Sequence, residues 1–285
     1  LVHALAETPD GAIWAGTHDG LVRLEGDSQS HFSTQQGLPA QAVTAAAVAP
    51  DGTLWVGTGG GGLARYRHDR FEPVGPPRLD VRTLVAGPDG TLWFTHQDLS
   101  HPPEVYSCAA DGGGLRQRTG VNDALLATLA MGRVEERVFK GAGDADVQAW
   151  VVYPPGFDAR KKYPVLHSIH GGPHAASGDT FHYRWNNHVF AAQGYVVACV
   201  NYHGSSGFGY AFLDSITHRW GELELQDVEA ATDWLLKKPW ADRKRVFATG
   251  GSYGGYMVAW MNGHVKPGRY QAYVCHAGCF DWTAM

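Results

Sequence analysis

A serine set among glycines, Gly250-Gly-Ser-Tyr-Gly254, stands where the apolar run Arg245-Val-Phe-Ala-Thr249 gives way to a helix-like segment beginning near Gly255. Gly-x-Ser-x-Gly between a strand and a helix marks a sharp, strained turn that lifts the serine Oγ clear of the sheet. Glycines two positions away leave room where a Cβ would collide. Ser252 is therefore the candidate nucleophile of an acyl transfer; the competing reading of such a turn is phosphate binding or plain packing. A second element points to the same chemistry. His170-Gly-Gly-Pro-His174 comes after another apolar run, at the place where backbone N–H groups are presented to an oxyanion, and its glycines let the backbone approach a tetrahedral intermediate. The N–H of the residue after the nucleophile, Tyr253, is the expected partner donor, each such donor being worth about a hundredfold or more in rate. His167, His170 and His174 lie close enough to raise a zinc site, but Gly171, Gly172 and Pro173 preclude the helix that would align an i, i+4 pair, and no metal is expected.

The elements that must hold these groups emerge from the apolar pattern. Tyr163 to His170 reads as a buried strand, Phe181 to Gln193 as a helix stopped by Gly194, and Tyr195 to Val200 as the next strand. Leu225, Val228, Ala231 and Leu235 share one face of a helix that Pro239 ends, Arg245 to Thr249 is a third strand, and Tyr270 to His276 a fourth. Strands alternating with helices are the grammar of a parallel α/β sheet. Glu104 to Cys108 and Gln148 to Tyr153 read as further strands, the second opening the α/β region.

The first hundred residues obey a different grammar. Asp10-Gly-Ala-Ile-Trp-Ala-Gly-Thr17 recurs as Asp51-Gly-Thr-Leu-Trp-Val-Gly-Thr58 and, degraded, as Asp89-Gly-Thr-Leu-Trp-Phe-Thr95, at offsets of 41 and 38 residues. That period suits a four-stranded propeller blade, and a Pro-Asp-Gly turn between short strands is a β-meander signature. The motif resembles the propeller repeats of two-component regulators and predicts about two and a half blades, fewer than the four to eight that close a ring. Gly57-Thr-Gly-Gly-Gly-Gly62 formally fits the dinucleotide fingerprint. The next residues, Leu63 to His68, alternate like a strand, so the segment is read as a blade turn and no nucleotide cofactor is expected.

Composition narrows the partners. The chain has 285 residues, 44% hydrophobic and 18% charged, with 37 glycines and a formal charge of −5, which describes a turn-rich globular chain of about two domains with no electrostatic reason to bind nucleic acid. No run of about 18 apolar residues occurs, the length a membrane-crossing helix needs, and no membrane partner is expected. Cys108, Cys199, Cys275 and Cys279 show neither CxxC spacing nor the density of a disulfide scaffold and read as buried thiols. The chain starts at Leu1 without a leader pattern, both ends read as cut, and the compartment and oligomeric state stay open.

Five ordered motifs together resemble the prolyl oligopeptidase family of serine peptidases, in its acylaminoacyl-peptidase or dipeptidyl-aminopeptidase branch. They are Tyr163 to His174, Gly194-Tyr-Val-Val, Asn201-Tyr-His-Gly-Ser-Ser-Gly-Phe-Gly209, Trp220-Gly with Asp227, and Gly250 to Met257. The resemblance implies an α/β-hydrolase domain capped by a β-propeller that admits short peptides. It also implies Ser252 as the acylated nucleophile, with the N–H groups of Gly172 and Tyr253 as the oxyanion hole. Where the family has arginine in Asn-x-Arg-Gly-Ser this chain has His203, read as a packed or loop histidine rather than a catalytic one.

The triad order of this fold is Ser, then acid, then His, yet the only acid after Ser252 is Asp281 and no histidine comes after it. His264 and His276 read as helix-end and strand residues. The expectation is thus a peptidase whose triad acid and base lie beyond Met285, leaving a chain that is inactive or retains about 10³ to 10⁴ of acceleration from the oxyanion hole and binding. The division expected is propeller repeats over 1–120 and hydrolase over 121–285. An esterase of the same fold, or a propeller-based sensor without catalysis, are the alternatives to a peptidase acting on short peptides.

Overall fold

The computed structural model describes residues 1–279, so Asp281 lies outside the described residues. The chain divides into two compact units, one of Leu1–Leu129 with Gly178–His182 and Gly207–Gly209, the other of Ala130–Ser177, Tyr183–Ser206 and the residues from Tyr210 onward.

The first unit holds three four-stranded antiparallel sheets. They are β1 (Val2–Glu7) to β4 (Ser28–Phe32) through β2 (Ile13–Thr17) and β3 (Gly20–Glu25); β5 (Val43–Val48), β6 (Leu54–Thr58), β7 (Gly62–Arg67) and β8 (Arg70–Val74); and β9 (Asp80–Ala86), β10 (Leu92–Gln97), β11 (Glu104–Cys108) and β12 (Arg116–Gln117). The repeated Asp-Gly does the same work each time. Asp10, Asp51 and Asp89 each accept the N–H two residues on with Oδ1, at 3.2, 2.9 and 3.0 Å. The adjoining Gly11, Gly52 and Gly90 take φ of 82°, 84° and 79°, where an L side chain is strained. The glycine of Trp-x-Gly has a different reason. A Cβ on Gly57 would lie 2.4 Å from Val81 Cγ1, because the first strand of the next sheet packs directly on it.

The first strands of successive sheets touch, β1 against β5 and β5 against β9. Trp14, Leu21 and Phe32 of the first sheet bury against Leu54, Val56 and Phe71 of the second, while Trp55 and Leu63 bury against Val81, Leu92 and Phe94 of the third. The third sheet is complete rather than half a blade. Strands β11 and β12 carry none of the Asp-Gly-x-x-Trp pattern, and are recruited by backbone pairing of β11 with β10 and of β12 with β11. The glycine-rich run at 57–62 is the β6–β7 turn and leads into a strand.

A short α1 (Asp123–Leu126) precedes the second unit. Its six-stranded sheet runs β13 (Val134–Lys140), β14 (Asp146–Val152), β16 (Val196–Asn201), β15 (Tyr163–Ile169), β17 (Ala241–Gly251), β18 (Ala272–His276). Pairs β15–β16, β15–β17 and β17–β18 are parallel, and β13 and β14 join antiparallel. The helices are α2 (Asn187–Ala192), α3 (Tyr210–Asp214), α4 (Glu222–Leu236) and α5 (Tyr253–His264). Helix α2 starts later than the pattern from Phe181 suggests, because Asn186 caps it by accepting the His188 N–H at 2.9 Å. Val165, Val196, Ala198, Val246 and Ala248 of the sheet bury against Val228, Ala231 and Leu235 of α4 and Met257, Val258 and Met261 of α5. This places the β17–α5 turn and the loop after β15 at the same end of adjacent parallel strands.

Gly57→Ala tests the sheet-on-sheet contact. Val81 is fully buried and has nowhere to move, so a loss of about 1–3 kcal/mol is expected by thermal or denaturant unfolding. Gly90→Ala, with nothing within 4 Å of its added Cβ, is expected to cost about 1 kcal/mol from backbone strain alone.

Candidate active site

Ser252 sits between the end of β17 and the first turn of α5 with φ 57° and ψ −122°, a conformation costing a non-glycine residue about 1–3 kcal/mol. Close backbone packing over-determines it. A Cβ on Gly254 would lie 2.1 Å from the Ile169 carbonyl oxygen, and one on Gly250 would lie 2.5 Å from the Gly254 backbone. The Ser252 N–H donates to the His276 carbonyl at 3.0 Å, and its own carbonyl accepts the Tyr256 N–H at 3.0 Å. Its side chain makes no cap bond to the helix and the residue is exposed. The strain is thus held by the backbone, and the hydroxyl is not drawn into the helix cap.

The loop after β15 comes to the same place. A Cβ on Gly171 would lie 3.3 Å from Ser252 Cβ and 3.8 Å from Ser252 Oγ, so this loop passes beside the Ser252 side chain at backbone distance. Gly172 comes next at φ 128°, where a Cβ would sit 2.7 Å from the N atoms of His174 and Ala175. The sequence motifs mark Gly172; the glycine the structure packs against Ser252 is Gly171.

Tyr253 points away from Ser252 into the core. Its hydroxyl donates to Glu224 of α4, whose carboxylate also accepts the Gly221 N–H at 3.1 Å. Burial raises the Glu224 carboxyl above its usual 4.5, and burial together with donation to Glu224 holds the Tyr253 phenol well above the usual range. Both residues are almost wholly buried. Anchoring the side chain in this way fixes the backbone N–H that opens α5. Glu224 carries no signal in the sequence beyond its place after Trp220-Gly221.

The histidines separate into distinct roles. His167 is buried beneath the sheet, with Nε2 2.9 Å from Thr232 Oγ1, and burial pushes its imidazole down to about 4. His170 stacks on Tyr202 with ring centroids 4.2 Å apart, and its Nε2 lies 2.9 Å from Ser205 Oγ; burial pushes it to about 4 as well, so it is neutral near pH 7. His174 Nδ1 donates to the Gly204 carbonyl at 2.9 Å. These bonds use the ring nitrogens in separate places, and among the described residues no group of three or more His, Cys, Asp or Glu is placed to hold a metal. His264 ends α5, bonded to the Trp260 carbonyl and stacked on its ring, and His276 ends β18.

A cavity of about 400 Å³ opens among residues 183–186, Val189, Phe190 and His276. Trp185 brings it to the elbow, its Cζ2 3.2 Å from where a Gly251 Cβ would be, and its ring meets His276 edge-on at 5.3 Å. The cavity thus sets an aromatic wall beside the exposed, strained Ser252. Sequence spacing does not reveal this pocket, since its walls come from the loop before α2, from α2 itself and from the end of β18.

The Glu224 carboxyl gives a pH signature. A carboxyl with a raised folded pKa binds more protons in the folded than in the unfolded state, so its contribution to stability is present at acid pH and is lost as pH rises from 4.5 through the folded pKa. Glu224→Gln is therefore expected to gain stability relative to the wild type as pH is raised from about 4 to 7, read from thermal midpoints across that range. A constant difference between the two proteins would contradict it.

Residues 181–285 match the prolyl oligopeptidase family, and residues 37–60 match the two component regulator propeller. The chain is 37% identical over 196 residues to a probable dipeptidyl-peptidase 5 of Aspergillus terreus, covering 68% of this chain and 27% of that protein. It is 36% identical over 180 residues to dipeptidyl-peptidase 5 of Porphyromonas gingivalis, covering 63% of this chain and 26% of that one. The chain thus spans about a quarter of the length of these relatives. Its fold is that of Pyrococcus horikoshii acylaminoacyl peptidase, at a TM-score of 0.75 and 23% identity over 94% of this chain and 43% of that one. The elbow, the glycine loop beside it and these likenesses all point to the prolyl oligopeptidase family, whose model residues 181–285 match.

Proposed function

We propose that this chain carries the nucleophile of a serine peptidase that cleaves short peptides through an acyl-enzyme at Ser252. The observation that carries the reading is the strained Ser252, its exposed hydroxyl uncommitted to the helix cap, with the Gly171–Gly172 backbone drawn up beside it. In this reading Ser252 Oγ attacks the scissile carbonyl and the carbonyl oxygen becomes an oxyanion. It is held by the N–H groups of Gly172 and Tyr253, the second at the positive end of α5. The tetrahedral intermediate collapses with release of the amine, and water then hydrolyses the ester to regenerate the serine. The base that takes the Ser252 proton is assigned to none of His167, His170, His174, His264 and His276. The names of the relatives, dipeptidyl-peptidases among them, favour peptides over simple esters as substrates.

Intact-mass labelling with a fluorophosphonate probe tests the reading. A single adduct on the wild-type chain that is absent from Ser252→Ala is expected. The rate of its formation should lie well below that of a complete triad, since binding and oxyanion stabilisation alone retain about 10³ to 10⁴ over water. An adduct that persists in Ser252→Ala, or no adduct on a chain shown to be folded, would contradict the assignment.

A further inference from the structure

The loop that carries Gly171 and Gly172 has a bond of its own, from His170 Nδ1 to the Gly171 carbonyl at 2.8 Å, and is otherwise held from outside. It is clamped along its length by the segment after β16. Tyr202 donates its hydroxyl to the His170 carbonyl at 2.7 Å and stacks under the His170 ring, and Ser205 Oγ meets His170 Nε2 at 2.9 Å. The Gly204 carbonyl accepts from His174, and the Ser206 N–H donates to the Ala175 carbonyl at 3.0 Å. Asn201 bonds both backbone groups of Ser177, accepting at 2.7 Å and donating at 3.0 Å. The geometry of one loop is thus imposed by the other.

That second loop is fixed in turn at its midpoint. His203 meets Asp227 twice, its backbone N–H donating to Oδ2 at 2.7 Å and its Nδ1 lying 2.7 Å from the same oxygen. Asp227 is fully buried on α4, and its other oxygen accepts the Ala142 N–H at 2.8 Å. The space around it is closed, since a Cβ on Gly141 would lie 2.3 Å from Asp227 Oδ1. On its other face the His203 ring stacks on Phe212 of α3 at 4.4 Å. A buried carboxylate needs its donors, and this one obtains two of its three from His203.

We propose that His203 is a positioning residue for the oxyanion-binding backbone: its Nδ1–H bond to Asp227 holds the Tyr202–Ser206 loop, which sets the path of His170–Ala175 past Ser252. His203 touches neither nucleophile nor substrate and acts through Tyr202, Gly204 and Ser205. The inference deepens the acyl-transfer reading of Ser252 and rests on it for its effect on rate. Its structural content, that His203 governs the order of the glycine loop, is measured separately.

The test compares His203→Leu, which removes the donor and keeps bulk, with His203→Asn, whose amide nitrogen takes the place of Nδ1. Each is read by the rate of fluorophosphonate labelling at Ser252 and by hydrogen exchange of the amides of Gly171, Gly172, His174 and Ala175. His203→Leu is expected to label about ten- to a hundredfold more slowly, the scale of effect of a misplacement of up to about 1 Å. The four amides should exchange faster, and His203→Asn should restore both toward wild type. Wild-type exchange and labelling in His203→Leu would overturn the proposal, as would His203→Asn behaving like His203→Leu. Should His203→Leu fail to fold, His203→Asn decides alone, wild-type values supporting the proposal and loss of both overturning it. If the wild type itself takes no label, the acyl-transfer reading falls while the exchange data still decide whether His203 orders the loop.

Discussion

The site depends on one contact between two pieces of backbone, the end of β15 and the turn that leaves β17. At the Gly254 position even a methyl group would stand 2.1 Å from the Ile169 carbonyl oxygen, closer than any non-bonded pair tolerates. This approach is available because β15 and β17 are adjacent parallel strands, paired from Val165 with Val246 to Ile169 with Gly250, so their C-terminal ends emerge side by side. Parallel α/β sheets place ligands at that end for the same reason. The strain at Ser252 is a consequence of the contact: the chain has no relaxed path from strand to helix that also clears Ile169.

Around this contact the protein is arranged in successive layers of support, which end on buried carboxylates. The backbone N–H of Tyr253 is aimed by a phenol tied to Glu224, and the Gly171–Gly172 segment is aimed by the loop after β16. Both supports lead back to α4, which supplies Glu224 and Asp227. These are the carboxylates that the sheet and its helices enclose beside the site, and each is compensated by donors reaching it from elsewhere in the unit. One buried face of α4 therefore has two tasks along its length. Val228, Ala231 and Leu235 bury against the sheet, and Glu224 and Asp227 in its first turns anchor the segments beside Ser252.

Much of this is legible in the sequence. Wherever a local rule dominates, sequence and structure agree: the Asp-Gly turns, the alternation of strands and helices after Tyr163, the serine turn, and the reading of the glycine run at 57–62 as a turn between strands. What escapes is what depends on partners distant in sequence. Strand β12 forms because β11 offers an edge, although Arg116 and Gln117 carry no strand pattern. The start of α2 is set by the Asn186 cap against a longer apolar pattern. Glu224 is unremarkable as a letter and becomes decisive only once Tyr253, 29 residues on, reaches it. The role of His203 is invisible for the same reason. A histidine in a Gly-Ser loop carries no sign that a buried aspartate 24 residues away accepts from it.

If the backbone beside Ser252 forms an anion-binding pair, a crystal structure of the Ser252 phosphonate adduct shows it without an intervening inference. The phosphonyl oxygen is predicted to lie within about 3 Å of both the Gly172 and the Tyr253 nitrogen atoms. A phosphonyl oxygen turned to solvent, or held by side chains with those two N–H groups directed elsewhere, would contradict the anion-binding role.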